Sequence, residues 1–188
     1  MTTLLVIKQF ISYGGIMDMD ISDRIRLRFN LLDADGNGVL EAEDFAAVAD
    51  RIILAAGADA TDPKAAALRA AHDRYWQSLR SASPAERIDL PAYAAIVAAD
   101  GWFPQYGQQY AQSLADICDR DGDGQISFTE FQPVMVAVGF AADKVQRLFS
   151  SFDQDGSGSI DRAEWVAGIA EFYDPTVTGS VTEVLVNA

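Results

Sequence analysis

Residues 119–130 read DRDGDGQISFTE: Asp at the first, third and fifth positions, Gly at the fourth and sixth, apolar Ile126 at the eighth and Glu130 at the twelfth. Two further windows align with it without a gap, DADGNGVLEAED at 33–44 and DQDGSGSIDRAE at 153–164. Each keeps Asp at the first and third positions, Gly at the fourth and sixth, an apolar eighth residue (Leu40, Ile126, Ile160) and an acid at the twelfth. Apolar residues at helical spacing flank all three. Phe29 and Leu32, Ala115 and Cys118, and Phe149 and Phe152 stand before them; Phe45 and Val48, Phe131 and Val134, and Trp165 and Ile169 follow. The repeated unit is helix, loop, helix, and the fold class it predicts is all-α.

The windows begin at 33, 119 and 153, so the interval between the first two has room for a fourth unit. SASPAERIDLPA at 81–92 supplies it, with Ile88 at the eighth position. Its first, third, fifth and twelfth positions are Ser81, Ser83, Ala85 and Ala92, so it keeps the scaffold and lacks the acids. Helical stretches are expected around Lys64–Arg80 and Leu90–Asp100 on either side of it. Gly101 to Gly107, with Pro104, reads as a linker between two halves. The predicted organisation is an N-terminal arm at 1–19, a first pair of units at 20–101, a second pair at 102–175 and a tail at 176–188. Short β-bridges are expected to join Leu40 to Ile88 and Ile126 to Ile160 within the two pairs. Pro133 is expected to kink or end the helix after the third loop.

The charge is concentrated in the same places. Of the 28 Asp and Glu residues, 13 lie in the three windows, and the whole chain carries a formal charge of -14. That excess disfavours electrostatic binding to nucleic acid or to an anionic membrane. At 188 residues and 49% apolar content the chain has ample material for a buried core. One Cys excludes an intramolecular disulfide framework and fits a reducing compartment, so a cytoplasmic monomer is expected. The N-terminal run Leu4–Ile7 is cut by Lys8 and preceded by no basic residue. It reads as neither signal peptide nor membrane span. It is read either as an arm docking on the body or as a piece upstream of the true start, because Met17 and Met19 directly precede the first helix.

A hard divalent cation such as calcium takes six to eight oxygens in flexible geometry, and a glycine-turned loop brings alternate residues to one centre. Positions 1, 3, 5, 7, 9 and 12 supply those oxygens, the seventh through its carbonyl. In the third loop they are Asp119, Asp121, Asp123, Gln125, Ser127 and Glu130; in the fourth, Asp153, Asp155, Ser157, Ser159, Asp161 and Glu164. The first offers Asp33, Asp35, Asn37, Val39, Glu41 and Asp44. Because Asp44 is one methylene shorter than Glu, a bidentate contact there requires the helix to move closer or Glu41 to reach in directly. The smaller shell suits six-coordinate magnesium relatively better, so this site is expected to bind calcium more weakly or to hold magnesium at rest. A single such window is commonly an Asx-rich turn or a capping box. Three gapless copies with helices on both sides make the metal reading far stronger.

On these motifs the sequence resembles the EF-hand superfamily, and within it the four-EF-hand sarcoplasmic and calerythrin-like calcium-binding proteins, over about residues 20–175. The resemblance implies one globule of four hands acting as a cytosolic calcium buffer, with a degenerate second hand. The rival function is a sensor that opens to grip a target protein. Sensors present Met-rich grooves, whereas only Met135 of the four Met lies within the body. Luminescent photoproteins and luciferin-binding proteins share the four-hand pattern, but their light chemistry uses histidines and this chain has only His72. His72 reads as a partly exposed helix residue, Cys118 and the three Trp as core. No nucleophile with its base and no phosphate-cradling loop is present, so the chain reads as a non-enzyme.

Overall fold

The eighth residues of the loops meet in pairs. In a computed structural model, which describes residues 16–59, 61–83, 85–99, 101–173 and 179–186, Leu40 lies opposite Ile88 and Ile126 opposite Ile160 in two antiparallel ribbons. These are β1 (Val39–Leu40) with β2 (Ile88–Asp89), and β3 (Gln125–Ser127) with β4 (Ser159–Asp161). All four side chains are buried. Burying such an aliphatic group contributes roughly 1.5–3 kcal/mol, which accounts for an Ile88 kept in a loop that has lost its acids.

Around the ribbons stand the helices: α1 (Ile16–Leu32), α2 (Ala42–Ala55), α3 (Pro63–Ala82), α4 (Leu90–Val97), α5 (Gln108–Cys118), α6 (Phe128–Val138), α7 (Ala142–Phe152), α8 (Arg162–Tyr173) and α9 (Ser180–Val186). Local chemistry sets their starts. Asp62 caps α3, its carboxylate accepting the Lys64 amide at 2.7 Å, with Pro63 in the first turn where no N–H is needed. Asp44, Glu130 and Glu164 each accept the backbone N–H three residues earlier, so the twelfth residue of a loop also fastens the helix that leaves it.

The core ties the halves together. Phe45 of α2 joins Phe29, Tyr75, Trp76 and Tyr93 in the first half. Three residues on, Val48, with Ile52 and Ile53, packs with Leu114, Phe131, Phe149 and Trp165 of the second half. Helix α3 is divided likewise, with Ala65 and Leu68 toward the second half and Tyr75, Trp76 and Leu79 toward the first. Trp76, Trp102 and Trp165 are buried, as expected, and so is Cys118.

Several expectations are corrected here. The linker is helical: Phe103–Gly107 forms a π-turn continuous with α5, because Trp102 and Gly107 are drawn into the core. Pro133 does not end α6, which runs to Val138. Phe131, Val134, Met135 and Val138 pack on both sides of it, and their burial offsets the lost backbone bond. The described part of the tail, Ser180–Val186, is a helix that the sequence pattern did not show, packed on α1, α7 and α8 with Val181 fully buried. His72 is 1% exposed, enclosed because α3 is flanked by α2 on one side and α5 on the other. Its ring meets Tyr110 edge-on at 4.9 Å, and its Nδ1 lies 3.0 Å from the Leu68 carbonyl oxygen. Helix α1 begins at Ile16, inside the stretch assigned to the arm; the rest of that arm lies outside the described residues. None of the described helices is long and apolar enough to cross a membrane.

Candidate metal centres

The same hydrogen bonds wind all three acid-bearing loops. The first-position carboxylate accepts the sixth-position glycine amide: Asp33 from Gly38 at 2.9 Å, Asp119 from Gly124 at 3.2 Å, Asp153 from Gly158 at 3.1 Å. These glycines sit at φ between 83° and 90°, where a side chain is strained. The third-position carboxylate accepts the fifth-position amide, Asp35 from Asn37 at 3.0 Å, Asp121 from Asp123 at 3.2 Å and Asp155 from Ser157 at 2.9 Å. The fifth side chain accepts the seventh amide in turn: Asn37 from Val39, Asp123 from Gln125 and Ser157 from Ser159.

The twelfth carboxylate spans the loop. Glu130 takes the Arg120 amide at 3.0 Å and the Ser127 amide at 2.9 Å; Glu164 takes those of Gln154 at 2.8 Å and Asp161 at 3.0 Å. Asp44 does the same with Ala34 at 3.0 Å and Glu41 at 2.8 Å. Asp44 thus reaches the same two backbone positions as the Glu of the other loops, although it is one methylene shorter.

Oxygens from Asp33, Asp35 and Asp44, from Asp119, Asp121 and Asp123, and from Asp153, Asp155 and Glu164 lie within 4.8 Å of one another in each group. Carboxylates so close repel unless a cation lies among them. Asp153 Oδ1 is buried with no hydrogen-bond partner among the described residues, an oxygen left for a metal. The donor sets are all oxygen, as calcium and magnesium require. In the first loop, burial and then the neighbouring Asp35 and Asp33 charges push the Asp44 carboxyl up, against the two amides that pull it down. At Glu130 burial also works upward, but the Ser127 hydroxyl and the Ser127 and Arg120 amides outweigh it and hold the carboxyl below its ordinary value. Burial, reinforced by Glu130 and Asp119, pushes the neighbouring Cys118 thiol far up, so it remains protonated and inert.

The ninth positions differ. The Ser127 hydroxyl donates to Glu130 at 2.7 Å, and Asp161 accepts the Glu164 amide at 2.8 Å. Glu41 faces the Asp44 amide in a capping box and in addition meets Arg87, Nε to Oε1 2.9 Å, a partner that the sequence reading missed. Its signal was present: continuing the Leu40–Ile88 register by one residue sets position 41 opposite 87. In the second unit Ser81 donates to the Ser78 carbonyl and Ser83 accepts the Ala85 amide, so its hydroxyls serve the turn.

Paired helix-loop-helix units with three oxygen cages define a protein that binds divalent cations. Residues 25–49, 116–135 and 145–169 match the EF hand family. Luciferin-binding protein of Renilla reniformis is 31% identical over 157 residues, 79% of this chain and 83% of its own length. Calerythrin of Saccharopolyspora erythraea is 26% identical over 161 residues, 81% of this chain and 91% of its own. A calcium-binding protein of Streptomyces coelicolor shares the fold with a TM-score of 0.71 at 22% identity, covering 84% of this chain and 99% of that one. The chain belongs to the EF-hand family of calcium-binding proteins, as a calerythrin-like member.

Proposed function

We propose that this protein is a cytoplasmic calcium buffer and not an enzyme, with three sites. The sites are Asp33, Asp35, Asn37, the Val39 carbonyl, Glu41 or a water, and Asp44; Asp119, Asp121, Asp123, the Gln125 carbonyl, Ser127 and Glu130; and Asp153, Asp155, Ser157, the Ser159 carbonyl, Asp161 and Glu164. The second unit serves as the packing partner of the first. What supports a buffer over a sensor is the core shared between the halves through α2 and α3. A sensor opens an adaptable apolar groove toward its target. Here Met135 is buried, and among the described residues the exposed large apolar side chains are Leu54, Val136 and Val166, one each on α2, α6 and α8. ANS fluorescence tests this: calcium lowers it or leaves it unchanged in a buffer, and a rise would establish the sensor reading and a protein target.

A second reading, a carrier of a small aromatic molecule, is favoured by the lining of a pocket between the halves, Tyr75, Tyr110, Phe152, Trp165 and Tyr173 with Arg28, whose volume of about 60 Å³ has to widen to admit one. Arg28 is buried, its guanidinium carbon 4.5 Å from the centre of the Tyr173 ring and its Nε without a partner among the described residues. The relationship to a luciferin-binding protein points the same way. Saturable quenching of tryptophan fluorescence by a luciferin supports it; unchanged fluorescence refutes it.

A further inference from the structure

In the second ribbon the ninth position of each loop faces an uncharged seventh position of its partner: Ser127 opposite Ser159, and Asp161 opposite Gln125. The first ribbon obeys the same register, Val39 opposite Asp89 and Leu40 opposite Ile88, which brings Glu41 across from Arg87. Here the ninth position is an acid and the seventh position of the partner is a cation. Their side chains meet, Nε to Oε1 at 2.9 Å, while the Asn37 side-chain amide lies 3.4 Å from the other Glu41 oxygen. The carboxylate oxygens that converge in this loop come from Asp33, Asp35 and Asp44.

We propose that Arg87, contributed by the loop that has lost its own ligands, sets the ion selectivity of the first site by holding the Glu41 carboxylate out of the coordination shell. This rests on the reading that the first loop holds a divalent cation. With Glu41 withheld, the ninth position falls to water. A small, partly hydrated shell is what magnesium retains, whereas calcium gains most from additional protein oxygens. The degenerate second unit thus acts as a resident competitor for one ligand of its neighbour. Without Arg87, Glu41 is free to swing onto the ion, and calcium gains more than magnesium.

The amide of Gly38, bonded to Asp33, reports the first site alone in two-dimensional NMR. Full-length wild type, Arg87→Gln, Arg87→Lys, Glu41→Gln and the Arg87→Gln/Glu41→Gln double variant are titrated with calcium and with magnesium. Both residues are solvent-accessible, so the pair is worth little in stability, and the amides of Gly124 and Gly158 check that the second half is unaltered. Arg87→Gln is expected to raise calcium affinity at the first site by about two- to five-fold, the scale of an exposed ion pair, with a smaller change for magnesium. Arg87→Lys restores the wild-type ratio, and in the Glu41→Gln background the effect of Arg87→Gln disappears. An unchanged ratio of calcium to magnesium affinity in Arg87→Gln would overturn the proposal, as would a full effect persisting without Glu41, which would mean simple charge repulsion. A wild-type Gly38 resonance that ignores both ions would overturn the reading of the first loop itself, and the proposal with it.

Discussion

Replacing His72 with Leu should remove a large part of the protein's acid sensitivity. The folded chain encloses the ring between α2, α3 and α5, and burial, opposed by the contact with the Leu68 carbonyl, lowers its pKa from 6.5 to about 4. The unfolded chain protonates near the ordinary value, so between these two pH values it binds more protons than the folded one. Stability therefore falls as the pH drops from 6.5 toward 4. Linkage over this window gives a loss of about 2 kcal/mol at pH 5 and about 3 kcal/mol at pH 4, relative to a residue that does not titrate. Urea unfolding of wild type and His72→Leu at pH 7, 6, 5 and 4, all in chelator, isolates this contribution, because the loop carboxylates titrate alike in both chains. Stability should fall more steeply with acid in wild type, the difference between the two chains opening as the pH drops below about 6.5. Curves parallel down to pH 4 would refute the buried neutral imidazole.

Glu164→Gln removes the charge and one of the two accepting oxygens of the twelfth position, so the fourth loop should lose its ion under conditions where the third retains one; terbium luminescence sensitised by Trp165 reads the loss. Ile160→Ala removes the partner of Ile126 in the second ribbon and should cost about 2–5 kcal/mol in urea unfolding, while making calcium binding in the second half less cooperative. Val181→Asp places a charge where α9 is fully buried and should lower the melting temperature by several degrees, about 2–4 °C for each kcal/mol lost; no change would show that α9 does not stabilise the body.

Much of this fold was legible because calcium ligation imposes a rigid spacing. Three gapless windows located the loops, and the apolar eighth residues predicted both ribbons, including the one built on the ligand-free Ile88. The reach of Asp44 was not legible, since it depends on how close α2 approaches the loop. His72 was misread because a histidine is commonly solvent-facing, although Leu68, Tyr75 and Trp76 stand at helical spacing from it and place it on the buried stripe of α3. Helix α9 has two turns only, too few to show a period, and it is held by Val181 against the body. Arg87 was not legible as a partner of Glu41 because its own loop carries no acids, although the register that pairs Leu40 with Ile88 also sets position 41 opposite 87.

Isothermal titration calorimetry of the metal-free chain with calcium, repeated in millimolar magnesium, bears most directly on the three-site reading. Three ions per chain are predicted, two of them cooperative and little affected by magnesium, and a third weakened by it and removed by Asp33→Ala with the other two intact. A total of two ions in magnesium-free buffer, or loss of the tightest binding event in Asp33→Ala, would contradict it.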